Sequence, residues 1–348
     1  MKQNAPYRRA GPTGVLALFA IFLACLPFSA VSCGGNLPKV LSELKHSDTY
    51  VVYKIKSPSV ARGSLEKKAE TEIHVTLPES YASSPDRRYP VVYGLHGFGD
   101  SALGMITPFE RALKAAGVTE VIFVAVDGTN SLGGSFYANS PASGFWEDLV
   151  AKETVALVDR NFRTVNRPEG RMLSGFSMGG FGAWNLALKH PEVFSFAWVC
   201  CPGAWDENGL RDTLATWGAV YRNSYGAAFS PDFSLPAPHA RVPSFDGTYG
   251  DALVKADWET GFGGIKAKLE RYAAGTARLK SVSFVYGAYD DYQWIPRGTR
   301  YIAAAMEGAG IPVSIREFKA AHRVTTDMIV ESFVPFVRDN LIVDNVNK

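Results

Sequence analysis

Residues 171–182 read Arg-Met-Leu-Ser-Gly-Phe-Ser-Met-Gly-Gly-Phe-Gly, and positions 175–179 form the pattern G-x-S-x-G. In a nucleophile elbow, a serine lies on a strained turn between a strand and a helix, and its hydroxyl projects above the sheet edge. Glycines beside the serine allow close packing where a Cβ would clash. An apolar run precedes the pattern, and residues 183–188 suit a buried helix that ends before Pro191. We therefore predict that Ser177 is a nucleophile on such a turn, a plain glycine-rich loop being the alternative.

Length, composition and charge limit what the chain can be. Its 348 residues permit one large α/β domain or two smaller ones. Hydrophobic residues make up 47% and charged residues 20%, so a sizeable core can be buried. The 36 basic and 34 acidic residues leave a net charge of +2. Because neither sign dominates, we expect no nucleic-acid partner.

The N-terminus has the pattern of an export signal. Lys2, Arg8 and Arg9 precede an apolar segment, 15–26, which is short for a bilayer span and is followed by small residues. We predict that residues 1–32 are a signal peptide, an uncleaved anchor being the alternative. The predicted location is periplasmic, extracellular or at the cell envelope.

A second processing route is open at the end of this signal. The segment Ala30-Val-Ser-Cys33 resembles a bacterial lipobox, in which the cysteine is diacylated and becomes the mature N-terminus, although such boxes prefer leucine where Ala30 stands. A lipidated Cys33 would anchor the protein to a membrane without a spanning helix. Lipid anchoring and plain secretion both remain open.

The other three cysteines show no pattern of disulfide bonds or metal binding. Cys25 lies in the predicted signal, and the adjacent Cys200 and Cys201 follow an apolar run. We interpret that pair as buried small hydrophobic residues. The sequence contains neither a disulfide framework nor a CxxC metal pattern.

Strand and helix patterns alternate along most of the chain. After a linker or peripheral helix at 33–48, the patterns predict strands and helices, beyond those around Ser177, as follows: strands 49–55, 71–77, 89–96, 121–126, 194–200, 282–286 and 313–318, and helices 107–116, 146–162, 297–309 and 325–341. The first two strands look like a hairpin. The alternation implies a mostly parallel sheet with helices on both faces, in one catalytic domain at 49–348. Residues from about 204 to 276 break the rhythm, and we expect an irregular insertion over the active-site edge.

The order of residues after Ser177 suggests its partners. A serine needs a base and a group that orients the base, and in this architecture the acid and then the histidine follow the serine. Of the histidines after Ser177, His322 alone follows the last strand and precedes the last helix. Strand 282–286 leads to Asp290 and Asp291; we favour Asp290 as the acid and keep Asp291 as the alternative.

A second loop supplies candidate oxyanion donors. Residues 96–99, His-Gly-Phe-Gly, follow a buried strand. We predict that the backbone N–H groups of Phe98 and Met178 form the oxyanion hole, and that His96 is structural. The same loop imitates a dinucleotide fingerprint with Asp127 at the end of the next strand. We discount this because the serine arrangement explains the loop equally well, and we expect neither an organic cofactor nor a metal.

A group of motifs resembles one family. They are His96-Gly-Phe-Gly99, Asn139-Ser-Pro141, Trp146-Glu-Asp148, Gly175-Phe-Ser-Met-Gly-Gly180, Lys189-His-Pro191, Gly287-x-x-Asp290 and His322. Together they resemble the esterase D-like branch of the α/β-hydrolases, over residues 71–341. That branch includes feruloyl and acetylxylan esterases, S-formylglutathione hydrolase and the mycobacterial mycolyltransferases.

The resemblance implies a mechanism and a substrate class. It implies an α/β-hydrolase fold and an acyl-enzyme mechanism on Ser177, Asp290 and His322, without a cofactor. Relatives usually have glycines before the histidine, whereas this chain has Ala320 and Ala321. Tyr137 and Asn139 are candidates for lining the substrate pocket, ordinary loop packing being the alternative.

These observations together predict a function. We expect an exported serine carboxylesterase that acts on carbohydrate-linked feruloyl or acetyl esters. An acyltransferase of the mycolyltransferase type would share every catalytic residue, and a non-catalytic surface binding protein would share the fold, so both remain alternatives.

Overall fold

The computed structural model describes residues 37–341. The predicted signal peptide and Cys33 lie outside these residues, so the structure does not bear on them. Among the described helices, none combines the length and apolar character needed to cross a membrane.

One sheet of nine strands forms the centre of the described chain, and a ribbon of two short strands lies apart from it. The strands are β1 (Lys39–Ser47), β2 (Tyr50–Lys56), β3 (Glu70–Thr76), β4 (Val91–Leu95), β5 (Ile122–Val126), β6 (Asn139–Ser140), β7 (Gly144–Phe145), β8 (Arg171–Phe176), β9 (Phe196–Cys200), β10 (Ser281–Gly287) and β11 (Val313–Phe318). The large sheet has the order β1-β2-β3-β5-β4-β8-β9-β10-β11, and β6 pairs with β7. Strands β1, β2, β3 and β5 pair antiparallel, and every pairing from β5 to β11 is parallel. The predicted leading hairpin and mostly parallel sheet are confirmed.

The helices alternate with these strands. They are α1 (Ala102–Ala115), α2 (Trp146–Asp148), α3 (Val155–Asn161), α4 (Met178–Lys189), α5 (Gly209–Thr216), α6 (Ala219–Phe229), α7 (Tyr249–Glu259), α8 (Ile265–Ala274), α9 (Trp294–Gly308), α10 (Thr326–Met328) and α11 (Val334–Leu341). A π-helical segment, Leu149–Thr154, joins α2 to α3, and another, Ile329–Phe333, joins α10 to α11. The helices predicted at 146–162 and 325–341 are therefore each present as a composite.

Helices cover both faces of the sheet. A Cβ on Gly94 of β4 would meet Met105 of α1, whereas a Cβ on Gly182 of α4 would meet the side chain of Leu95. Because successive residues of a strand point to opposite faces, α1 and α4 lie on opposite sides of β4. The prediction of helices on both faces is confirmed.

Two stretches differ from the sequence predictions. Residues 39–47, expected as linker or peripheral helix, form the edge strand β1, which pairs only with β2 and is almost entirely exposed. A strand exposed on both faces has no apolar alternation to reveal it, so main-chain pairing decides its structure. Residues 204–276, expected to be irregular, include α5 to α8, whose helices are only 8–11 residues long and are separated by proline- and glycine-containing turns.

An ion cluster joins α2 to the end of α4. The Glu147 carboxylate accepts hydrogen bonds from Lys189 Nζ at 2.6 Å and from His190 Nε2 at 2.9 Å, while His190 Nδ1 contacts Glu192 at 3.3 Å. Burial lowers the pKa of His190, but the hydrogen bonds to Glu147 and Glu192 outweigh it and raise that pKa to about 9. Burial likewise raises the pKa of Glu147, and its two cationic partners lower it to about 2. Both groups are therefore charged near neutral pH.

This cluster predicts a pH-dependent contribution to stability. A raised folded-state pKa makes the His190 contribution complete below its ordinary value of 6.5 and lost as pH rises through about 9. We expect His190→Gln to lower the melting temperature most at about pH 6, with the difference from the parent protein shrinking above about pH 9. Thermal unfolding followed by circular dichroism across this range measures it. A difference that stays constant from acid to alkaline pH would contradict the assignment.

Candidate active site

Ser177 lies on the turn between β8 and α4 in the conformation of a nucleophile elbow. Its φ is 55° and its ψ is −114°, a region that side-chain-bearing residues occupy only under constraint from their surroundings. Its N–H donates to the carbonyl of Cys200 at the end of β9, at 3.0 Å. A Cβ on Gly175 would lie 2.0 Å from the Gly179 carbonyl oxygen, and one on Gly179 would lie 1.9 Å from that of Leu95. Only glycine fits at these two positions.

His322 reaches Ser177 from the loop after β11. Its Nε2 lies 2.9 Å from Ser177 Oγ, and its Nδ1 lies 2.7 Å from Asp290 Oδ2. An ionised carboxylate only accepts hydrogen bonds, so Nδ1 carries the proton and Nε2 is free to accept from the serine hydroxyl. The structure thus brings together the three residues predicted as the catalytic set.

The two adjacent aspartates have different surroundings. Asp290 is 1% exposed, and its Oδ1 accepts the N–H of Tyr292 at 2.8 Å. Asp291 is exposed. Of the two, Asp290 is the hydrogen-bond partner of His322. The sequence had left Asp291 open as the alternative.

The alanines before His322 fit the loop. The Ala320 carbonyl accepts the N–H of Tyr289 at 2.9 Å, and a Cβ on Gly287 would come within 2.3 Å of that same carbonyl oxygen. The close approach is therefore provided by the glycine at the end of β10. With that glycine present, alanines at 320 and 321 still allow His322 to reach the serine.

The predicted oxyanion donors lie beside the serine. Phe98 and Met178 line the same cavity as Ser177. Within residues 37–341, no hydrogen bond uses the backbone N–H of either residue, so both donors are available to a ligand. His96 is fully buried, accepts the N–H of Gly128 at 2.8 Å and contacts the Gly97 carbonyl through Nδ1 at 2.7 Å. It holds the loop in place, as expected of a structural residue.

Tyr137 and Asn139 do not line this cavity. Tyr137 is fully buried, its ring packs against Gly128 and Gly182, and its hydroxyl donates to the His96 carbonyl at 3.3 Å. Asn139 is paired with Asp148, donating from Nδ2 at 3.0 Å. Local packing already uses both side chains, which favours ordinary loop packing, the alternative to their lining the substrate pocket.

Aromatic side chains that were not among the predicted site residues form nearly half of the cavity lining. The cavity has a volume of about 130 Å³. Its aromatic lining, besides Phe98, consists of Phe136, Phe176, Trp217, Tyr221, Phe262, Tyr292 and Trp294. Trp217, Tyr221 and Phe262 come from residues 204–276, whose density of aromatic residues was the one signal available in the sequence. Tyr292 and Trp294 follow the aspartate pair directly.

Two of these rings, Tyr221 and Tyr292, are neighbours at the cavity. The Tyr221 ring lies 4.7 Å from the Phe98 ring and 5.7 Å from that of Trp217. The Tyr292 ring packs edge-on against the His322 imidazole at 5.3 Å. Burial, with the nearby Tyr221 hydroxyl as a further cause, raises the pKa of Tyr292. Tyr292 therefore stays neutral at neutral pH and places an apolar ring beside the histidine.

The site also contains one set of metal-ligating side chains. Cys201 Sγ and one ligand atom each of Asp290 and His322 lie within 4.8 Å of one another, the single such group among the described residues.

Comparisons with known proteins show which family the chain belongs to. The model of a family described as "Putative esterase" matches residues 64–237, half of the chain. An esterase of Mycobacterium tuberculosis is 34% identical over 130 residues, which cover 36% of this chain and 27% of that protein. An endo-1,4-beta-xylanase/feruloyl esterase of Xylanibacter ruminicola is 26% identical over 154 residues, or 41% of this chain and 21% of that protein. The matches thus span about a quarter of these relatives.

A solved structure extends the likeness over most of the chain. An S-formylglutathione hydrolase from Agrobacterium tumefaciens superposes with a TM-score of 0.58 at 18% identity, over 87% of this chain and 99% of that one. At this identity the likeness concerns the fold, and it confirms the predicted α/β-hydrolase fold.

Proposed function

The chain belongs to the esterase family of the α/β-hydrolases, and from that premise we propose that it is a carboxylic ester hydrolase whose catalytic residues are Ser177, His322 and Asp290. The hydrogen-bonded series from Ser177 Oγ through His322 to Asp290 carries the proposal. Each member comes from a loop at the carboxyl ends of parallel strands, where ligands of such sheets bind.

The geometry supports a two-step reaction. Ser177 Oγ attacks the ester carbonyl while His322 Nε2 takes its proton, and Asp290 stabilises the imidazolium that forms. The N–H groups of Phe98 and Met178 stabilise the negative oxygen of the tetrahedral intermediate. His322 then protonates the leaving alcohol. In the second step His322 takes a proton from water, which attacks the acyl-enzyme, and the acid is released as His322 returns the proton to Ser177.

Substitution of the three residues tests this assignment. Ser177→Ala should lower kcat on p-nitrophenyl acetate by about 10⁴-fold or more, and it should abolish labelling by a fluorophosphonate. Asp290→Asn should lower kcat by about 10⁴-fold, because the amide favours the wrong imidazole tautomer. Asp291→Asn is the matched control and should change kcat by less than about threefold, as its exposed carboxylate is not the hydrogen-bond partner of His322. Equal losses in the two aspartate variants would refute the assignment of the acid.

For the substrate, we propose carbohydrate-linked esters of a small aromatic acid. The observation that supports this is the cavity beside Ser177, which is small and walled by aromatic rings. Offset and edge-on aromatic contacts add about 0.5–1.5 kcal/mol each beyond the burial of their area. The feruloyl esterase of Xylanibacter ruminicola, similar over part of this chain, points to the same acyl group. Acetyl esters would also fit the cavity but would leave its aromatic walls unused.

Tyr221→Ala tests the choice of acyl group. The ring stands half-buried at the cavity, so its loss should lower kcat/KM for methyl ferulate by about three- to tenfold through a lost aromatic contact. The same variant should change kcat/KM for p-nitrophenyl acetate by less than about twofold, since an acetyl group has no ring to stack on Tyr221. Steady-state kinetics on both esters gives the comparison. An equal loss of kcat/KM on the two substrates would show that Tyr221 does not contribute to the preference for an aromatic acyl group.

We further propose that the protein is exported, on the basis of the basic, apolar and small-residue order of residues 1–32. Mass spectrometry of the protein isolated from bacterial cells tests this by reading the mature N-terminus. A diacylated Cys33 would establish lipid anchoring, and an unmodified terminus near residue 33 would establish plain secretion. An intact N-terminus at Met1 would contradict export by this signal.

A further inference from the structure

A buried thiol lies beside the His322–Asp290 pair. Cys201 directly follows β9 and is fully buried. Its N–H donates to the Val285 carbonyl of the neighbouring strand β10 at 2.8 Å, which fixes the backbone of Cys201. Its Sγ, a carboxylate oxygen of Asp290 and a ring nitrogen of His322 lie within 4.8 Å of one another. The reaction outlined above does not use this thiol.

The three atoms are of the types that bind zinc. Thiolate sulfur, imidazole nitrogen and carboxylate oxygen bind Zn²⁺ at about 2.0–2.3 Å, so tetrahedral ligands stand about 3.3–3.7 Å apart. In the structure the His322 Nδ1 to Asp290 Oδ2 distance is 2.7 Å. Bringing the set to zinc geometry therefore needs shifts of about 1 Å, which side-chain rotation can supply.

Of the three residues, His322 is the one that lines the cavity. The His322 side chain is 13% exposed and lines the cavity, whereas the Asp290 side chain is fully buried. His322 Nε2 faces Ser177, so Nδ1 is the ring nitrogen on the side of Asp290.

We propose that Cys201, Asp290 and His322 Nδ1 form an inhibitory site for Zn²⁺, with water as the fourth ligand. On binding, the Cys201 thiol loses its proton to solvent and the His322 proton moves from Nδ1 to Nε2. The imidazole stays neutral, so one proton is released for each ion bound. With Nε2 protonated, His322 can no longer accept the proton of Ser177. Zinc thus stops the reaction by fixing the wrong tautomer, without touching the nucleophile.

Inhibition kinetics test the site, and this readout rests on the proposed function. Zinc chloride added to chelator-treated enzyme should inhibit hydrolysis of p-nitrophenyl acetate, and EDTA should restore the rate. Inhibition by a fixed zinc concentration should strengthen from about pH 6 to about pH 7.5, because binding releases a proton. Relative to its own metal-free rate, Cys201→Ala should need at least about tenfold more zinc for half inhibition. Cys200→Ala removes the neighbouring buried thiol, whose Sγ lies 3.9 Å from that of Cys201, and should retain the parent sensitivity.

A spectroscopic measurement is independent of activity. Co²⁺ added to the Ser177→Ala protein should give a thiolate-to-cobalt charge-transfer band in the near ultraviolet and visible bands of tetrahedral cobalt. Both should be absent when Cys201→Ala is added to that variant, and zinc should displace the cobalt. Equal zinc sensitivity in Cys201→Ala and the parent, or no thiolate band, would overturn the site. Loss of activity in Ser177→Ala with the band retained separates this proposal from the proposed function.

Discussion

The architecture of the site depends on how closely α4 approaches the sheet. The start of this helix presses against the ends of β4 and β8 so tightly that hydrogen alone fits at Gly175 and Gly179. That contact holds Ser177 in its constrained conformation, together with the hydrogen bond from its N–H to the end of β9. Close-packed interiors transmit such constraints because they leave no space for adjustment. The same turn that strains the serine aims its hydroxyl toward His322 and leaves the N–H of Met178 available for a ligand.

The sequence was most informative where burial and chain order act together. Strands such as β4, β5 and β9 are buried on both faces and form continuous apolar runs, so their ends could be located within about two residues. Parallel strands place their carboxyl ends at one edge. The order serine, aspartate, histidine therefore sufficed to identify the three loops that meet there. Local hydrogen bonding, which no sequence pattern contains, distinguishes Asp290 from its neighbour.

Other structural features could not be predicted from the sequence because tertiary contacts determine them. β1 is a strand through main-chain pairing with β2 and has no apolar face to reveal it. The helices α5 to α8 are short and lack long periodic patterns, so propensity alone could not identify them. Tyr137 lies in the same loop region as the cavity yet points into the core, and its neighbour Phe136 lines the cavity. Both residues have a positive φ, a backbone conformation that the sequence does not reveal.

The segment between β9 and β10 forms part of the cavity wall but supplies none of the three proposed catalytic residues. It supplies Trp217, Tyr221 and Phe262 to the cavity, while Ser177, Asp290 and His322 all come from the turns that follow β8, β10 and β11. Because both its ends are fixed by strands of the sheet, its length and composition can change without displacing those turns. Homologues that differ mainly in this segment would then share one reaction chemistry and differ in the substrates that they accept.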